Sequence, residues 1–376
     1  MPVPAFSKAA RTGLIAVMAA LLLPWVLMNI LMVGNADNLW LAEGYRRWAG
    51  GADLATSFFE VNPPLSLWLY AVPAELSSRL GWALHHAIFF YTLAVVAAAS
   101  LVLWQLLRQV DFLSTGERAL VIGGFVIATT VLTTGFFGER DHFVAIALVL
   151  LLCAQFIITM RYQVPQRRLA AVVFVSGFIL LLKPHYLILP ALMLCHRALK
   201  RRSLRAVLRD VDGWAILAAC VSYVGILHLF FQDYLTQILP AVLEYYGLHK
   251  AYDTIMLMGA QVLAGAVLFS GLAYALVQER TVRRFIWGLM VMAALALLPF
   301  LAQGMGYAYH LLPSTTLLWM GLAVILYHLV LKQNPHKPVF ASLLALVLCT
   351  VGAYAAKMPQ RSFISHAQYA QLPLVQ

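Results

Sequence analysis

Charge is what this sequence has least of. Asp, Glu, Lys and Arg together make up 11% of its 376 residues, against roughly 25% in an ordinary soluble domain. That shortage excludes a soluble globular enzyme. With 62% apolar residues, intrinsic disorder, collagen and a coiled coil are excluded as well. Cysteine is also scarce: Cys153, Cys195, Cys220 and Cys349 lie inside or at the ends of apolar runs, form no CxxC and offer no outside disulfide pair. No contiguous basic tract stands free of the apolar runs, so the formal net charge of +11 does not point to nucleic acid.

What the chain has instead is apolar length. Runs long enough to cross a bilayer, about 17–25 residues each, predict helices near 13–33, 84–107, 119–136, 142–160, 169–182, 186–196, 213–231, 255–277, 285–302, 311–331 and 339–356. The expected fold is therefore an all-α integral membrane protein with about 11 spans, two of which, 169–182 and 186–196, are short enough to be tilted or broken. Residues 1–376 read as a single polytopic domain without a soluble C-terminal domain, since only 357–376 follow the last run.

Placing the N-terminus in the cytoplasm leaves outside only Arg46, Arg47, Arg79, Arg140, Lys183, Lys250, Lys357 and Arg361. The rest of the 26 basic residues then lie inside, as the positive-inside rule requires. The excess of basic residues is thus a record of topology. Lys8 and Arg11 precede a first run without a small-x-small cleavage site, so that run reads as a retained span.

Two outside loops, 34–83 and 232–254, are longer than a bundle needs. In the first, Leu41, Tyr45 and Trp48 recur at i, i+4 and i+7 while Glu43, Arg46 and Arg47 lie off that stripe, which predicts an amphipathic juxtamembrane helix stopped by Gly50-Gly51. A second surface helix is expected over 65–76, after Pro63-Pro64 and rich in Trp and Tyr. The acids divide unequally. Asp111, Glu117, Asp210, Asp212 and Glu279 flank inside ends and are expected to be solvated, whereas Asp37, Glu43, Asp53, Glu60, Glu75, Glu139, Asp141, Asp233, Glu244 and Asp253 all fall outside. Acid–base chemistry, where the chain performs any, belongs to that side.

Asp37 is a candidate base, with an N-cap for the helix from Asn38 as its structural alternative. Glu139-Arg140-Asp141 puts three ionisable groups into a tight turn, which is costly unless they pair or serve a site. As helix neighbours Glu139 and Asp141 would face opposite ways, and Asp141 is the one expected to share a cavity with Asp37; its alternative is again an N-cap. Lys183-Pro184-His185 forms another turn, whose lysine either snorkels or binds an anion. The stretch from Gln303 to Pro313 gathers Gly304, Gly306, Tyr307, Tyr309 and His310. An aromatic belt accounts for the tyrosines but not for the histidine or the glycines, which permit close approach of a ligand.

A first span followed by an outside Asp, an amphipathic helix ending in Gly-Gly, and Asn62-Pro63-Pro64-Leu65 leading into an aromatic helix resembles the first periplasmic loop of GT-C superfamily membrane glycosyltransferases. That superfamily includes the aminoarabinose transferases of lipid A and the protein O-mannosyltransferases. The turn Glu139-Arg140-Asp141 falls where these carry a second acidic site, and Tyr309-His310-Leu311-Leu312-Pro313 is similar to a late motif of bacterial members. The resemblance implies a bacterial inner-membrane enzyme that moves a sugar from a polyprenyl-phosphate carrier to an acceptor hydroxyl on a glycan, lipid or protein, by inverting displacement. It implies Asp37 as base or acceptor-orienting carboxylate, with Asp141 and Glu139 as the acidic partners. Members often carry a Lys before Pro-Pro-Leu; Asn62 stands here, so the phosphate-binding role passes to Arg140, Lys183, His310 or the pair Arg46 and Arg47. Glu60, Asn62, His185, Tyr307 and Tyr309 complete the expected substrate-binding set. Some members use a divalent cation, for which Asp37 and Asp141 would be the ligands. Competing readings are a polysaccharide polymerase or ligase, weakened by a 232–254 loop holding one Lys and one His, and a lipid-linked glycan transporter, which calls for ionisable residues in mid-span.

Overall fold

The computed structural model describes residues 8–31, 34–58, 60–248 and 251–329. All regular elements among them are helical: α1 (Lys8–Leu31), α2 (Ala36–Ala49), α3 (Leu65–Leu69), α4 (Ala71–Leu80), α5 (Leu84–Leu107), α6 (Thr115–Thr129), α7 (Arg140–Met160), α8 (Gln166–Leu180), α9 (Ile188–Arg201), α10 (Leu204–Leu208), α11 (Val211–Phe230), α12 (Leu239–Leu248), α13 (Tyr252–Leu276), α14 (Arg280–Leu295), α15 (Leu297–Gln303) and α16 (Leu312–Tyr327).

Seven stretches are long and apolar enough to cross a membrane: Leu84–Leu107, Thr115–Thr133, Arg140–Met160, Val211–Phe230, Tyr252–Leu276, Arg280–Gln303 and Ala308–Tyr327. The chain is a multi-pass membrane protein. The predicted runs 169–182 and 186–196 become α8 and α9, of 15 and 14 residues. At 1.5 Å per residue each is about 21–23 Å long, short of a hydrocarbon core of about 30 Å. Helix α1 covers 13–31 of the first predicted run, and 32–33 and the run at 339–356 lie outside the described residues.

Local chemistry fixes the ends. Ser114 and Glu117 form a capping box at the start of α6, the reciprocal pairing that Ser-x-x-Glu encodes. Helix α2 ends at Gly50, as the Gly-Gly pair predicts. The expected surface helix at 65–76 is instead broken at Tyr70 into α3 and α4. Pro73 has no N–H for the Leu69 carbonyl four residues back, so the ladder cannot run through. Pro299 acts likewise on Leu295 and separates α14 from α15. The loop 232–254 is largely helical, with a π turn at Tyr234–Ile238 and then α12; His249 and Lys250 lie outside the described residues.

Helix α7 is the enclosed centre, buried at most positions from Arg140 to Ile157 and packed by α5, α6, α8, α9 and α16. Leu217, Val221 and Val224 on α11 and Leu263, Val267 and Leu268 on α13 are exposed, as lipid-facing side chains are.

Acids expected to be solvated at the other end of the bundle are in part buried. Asp212 is fully buried and pairs with the fully buried Arg197; Asp210 bridges Arg197 at 2.8 Å and Arg201 at 2.7 Å, and Gln155 Nε2 donates to Asp212 at 3.0 Å. Glu117, also buried, lies 2.8 Å from His328 Nε2. These acids close helix ends against one another, and each is buried together with a partner because an uncompensated buried charge is too costly to keep.

Candidate functional site

The turn ahead of α7 is built around Gly138, at φ +83°, where a Cβ would come within 3.0 Å of Thr92 Oγ1 and 3.2 Å of Asn38 Nδ2. Only glycine takes that conformation without strain. Asn38 Nδ2 donates to Phe137 O at 3.0 Å, and the Tyr70 hydroxyl lies 2.6 Å from Gly138 O and 2.9 Å from Asn38 Oδ1. Two surface elements of the first loop thus clamp the turn, and Glu139, Arg140 and Asp141 come to rest beside the first turn of α2.

Asn35, which the sequence reading passed over, does the capping. Its side-chain oxygen accepts from Asp37 N at 2.7 Å, and its amide donates to Gly135 O at 3.1 Å and to Glu139 Oε1. Asp37 is therefore not the N-cap. It sits inside the first turn with its side chain 56% exposed and Oδ2 4.0 Å from Arg140 Nη2. Nor is Asp141 a cap: Glu139 occupies that position, in extended conformation and without a side-chain capping bond. Because Glu139 precedes the helix, the opposed orientation expected of helix neighbours does not apply. Burial pushes the Glu139 carboxyl up to about 8, and the nearby Asp37 and Asp141 charges add to the effect.

A stability prediction follows from that shift. An unfolded glutamate loses its proton near pH ~4.3, whereas folded Glu139 keeps its own until about 8. The folded state therefore binds more protons in between, so this group's contribution is fully present below the unfolded pKa and is lost as pH rises through the folded one. Glu139→Gln, which mimics the protonated acid and still accepts from Asn35, should flatten that slope. Thermal melts in detergent from about pH 5 to about pH 9 should show the wild type losing stability with rising pH faster than the variant; parallel curves would remove Glu139 as the cause.

On the other side of Arg140, Asp141 is fully buried, with Oδ2 3.0 Å from Lys183 Nζ. Lys183 Nζ also lies 3.3 Å from Gln303 Oε1 and 2.9 Å from His310 Nε2, and 5.6 Å from the Tyr309 ring centre. Burial opposes the lysine's charge and the Asp141 carboxylate supports it. An ammonium only donates, so His310 Nε2 accepts from it. With Lys183 charged, Nε2 is the acceptor nitrogen of the ring and faces the lysine. Tyr186 donates to His310 O at 2.7 Å. His185 contacts Gln303 Nε2, and burial with the Lys183 charge pulls it down to about 4.

An open cleft of about 310 Å³ adjoins this network, lined by Asp37, Trp40, Leu41, Glu60, Val61, Asn62 and Arg140. Glu60 is buried at its wall, accepting from Trp40 Nε1 at 2.6 Å and from Asn62 N at 2.7 Å. The cleft brings together four of the expected residues: Asp37, Glu60, Asn62 and Arg140. Buried Glu139, Asp141 and His310, with the partly buried Lys183 and Tyr309, form the layer behind it. Tyr307 is half exposed and stacks on Tyr309 at 5.3 Å. Gly304 and Gly306, expected to admit a ligand, shape a turn at φ +71° and +70° whose Gly304 carbonyl accepts from Ala251 N at 2.8 Å. Arg46 and Arg47 are not at the cleft. Arg46 Nη2 donates to Ser77 Oγ at 2.9 Å and Arg47 Nε to Glu43 at 3.2 Å, so both brace α2.

Trp40 escaped the sequence reading although it stands three residues from Asp37, on the same helical face. Gln303 was legible as the start of the stretch to Pro313, without a role of its own. The pair expected to hold a divalent cation does not suit one, since Asp141 already faces Lys183 and Asp37 faces Arg140. Among the described residues no group of three His, Cys, Asp or Glu side chains is placed to hold a metal. Comparison of the chain with models of known families, with curated proteins and with solved structures gives no match.

Proposed function

We propose that this protein is a membrane glycosyltransferase that moves a sugar from a polyprenyl-phosphate carrier to an acceptor hydroxyl in the cleft bounded by Asp37, Glu60 and Arg140. The observation that carries this reading is the pairing at the cleft of an exposed carboxylate, Asp37, with a guanidinium, Arg140, that has no hydrogen bond of its own among the described residues. One group can take a proton and the other can receive a phosphate.

In this reading Asp37 removes the acceptor's hydroxyl proton as its oxygen attacks the anomeric carbon, while the bond from that carbon to the phosphate oxygen breaks. Arg140 stabilises the charge developing on the departing polyprenyl phosphate, an interaction strengthened by a site partly withdrawn from water. Glu60 holds Trp40 and Asn62 at the wall where a sugar would lie. Lys183, expected from the sequence to touch phosphate, instead neutralises Asp141 behind Arg140. The transporter reading gains nothing from the buried charges, which sit near helix ends: Glu117 is third in α6, Asp141 second in α7, Asp212 second in α11.

The direct test is mass spectrometry of lipid and glycan extracts from a strain lacking the gene. A polyprenyl-phosphate sugar should accumulate and one glycosylated product should vanish, both reversed by the wild-type gene but not by Arg140→Gln. Unchanged lipid-linked sugars would overturn the reading, and accumulation of a polyprenyl-diphosphate oligosaccharide would transfer it to a polymerase or ligase.

A further inference from the structure

A cavity of about 130 Å³ opens between α5, α7, α9, α14 and α16. Along α7 it runs from Val149 to Phe156, and Phe156 lies about 22 Å beyond Asp141 at 1.5 Å per residue. It therefore belongs to the opposite half of the bundle from the acidic cleft. Leu, Val, Met and Phe side chains make most of its wall, with Cys153 and Gly288, and its single charged group is Arg284.

Arg284 is exposed and shares the start of α14 with Arg280 and Arg283; the acid at that end is the N-cap Glu279, 3.6 Å from His328 Nδ1. Three guanidiniums against one N-cap carboxylate, Glu279, leave net positive charge at the positive end of a helix dipole, which a further anion would offset. Arg283 is engaged, lying 5.1 Å from the Tyr274 ring and 5.7 Å from the Trp287 ring and donating to backbone carbonyls. Arg280 and Arg284 form no ion pair among the described residues.

We infer that this cavity is a binding site for one anionic phospholipid, an acyl chain filling the apolar pocket and the phosphate meeting Arg284 and Arg280. A lipid chain lying in this apolar pocket would supply dispersion contacts to its Leu, Val, Met and Phe wall. Arginines clustered beside a span attract anionic headgroups. A chain alone accounts for the apolar wall, and an anionic headgroup adds a partner for Arg284, the charged group in that wall. The inference is independent of the proposed sugar transfer, since no residue of the acidic cleft takes part.

The test uses the full chain reconstituted in nanodiscs of equal parts phosphatidylglycerol and phosphatidylcholine, released into mild detergent and weighed by native mass spectrometry. Wild type should retain one phosphatidylglycerol per chain. A Cβ on Gly288 meets nothing within 4 Å, so Gly288→Phe places its ring in the pocket and should lower that retention roughly tenfold or more. Gly271→Phe, on α13 and equally open, should retain the lipid. Arg284→Gln should keep a lipid but lose the preference for phosphatidylglycerol. Cys153 offers a second measurement on wild type alone, because its alkylation by N-ethylmaleimide should be roughly tenfold faster after delipidation. Equal retention in Gly288→Phe and Gly271→Phe, equal retention of both lipids by wild type, or unchanged Cys153 reactivity would each overturn the inference.

Discussion

Asp37→Asn is expected to abolish sugar transfer, a loss of roughly 10²- to 10⁴-fold for a missing general base, while the protein melts within about 1 kcal/mol of wild type. The separation is possible because Asp37 carries little structural duty. Its side chain is 56% exposed, the cap belongs to Asn35, and its nearest cation, Arg140, is 4.0 Å away. What folding would lose is mainly an acid's favourable place at a helix N-terminus. Asn35→Ala is the useful contrast. It removes both the cap and the bond to Glu139, so it should destabilise α2 by about 1 kcal/mol or more and lower activity through misplacement of the turn. Transfer assays on purified protein, run beside detergent melts, separate the two effects. Full activity in Asp37→Asn would leave Asp37 only its place in the helix.

The second large effect lies behind the cleft. Lys183→Met leaves the Asp141 carboxylate buried without its counter-ion, which should cost about 3–5 kcal/mol. Asp141→Asn combined with Lys183→Met should recover most of that loss, because both charges leave together and the neutral pair has less desolvation to offset. The double variant should also bind a polyprenyl-phosphate analogue nearly as well as wild type. Arg140→Gln, in contrast, should weaken binding about 10- to 100-fold, the 1.5–3 kcal/mol of a charged hydrogen bond. If the double variant were stable and yet failed to bind, Lys183 and not Arg140 would be the phosphate ligand.

Much of the fold was legible in one dimension. Apolar runs identify spans because a bilayer leaves a backbone no partner but itself, and Gly50-Gly51 and Ser114-x-x-Glu117 mark helix ends through local bonds that need no distant residue. Proline chemistry was equally local, and Pro73 and Pro299 break helices that the apolar pattern alone carries through. The acidic residues were found because charge is rare in this chain, so each one stands out.

What the sequence could not determine is who faces whom. Glu139 and Asp141 are two positions apart, and their orientation depends on where α7 begins, which Gly138 and the clamp from Asn38 and Tyr70 decide. Lys183 resembles any snorkelling cation until the fold brings Asp141, Gln303 and His310 around it from positions 42 to 127 residues away. Arg46 and Arg47 were equally plausible phosphate ligands by charge, yet Ser77 and Glu43 hold them to bracing. Hydropathy and capping are properties of a segment and its solvent, and the sequence by itself determined those. A binding site is a set of distances between segments, and those exist only after the helices have packed.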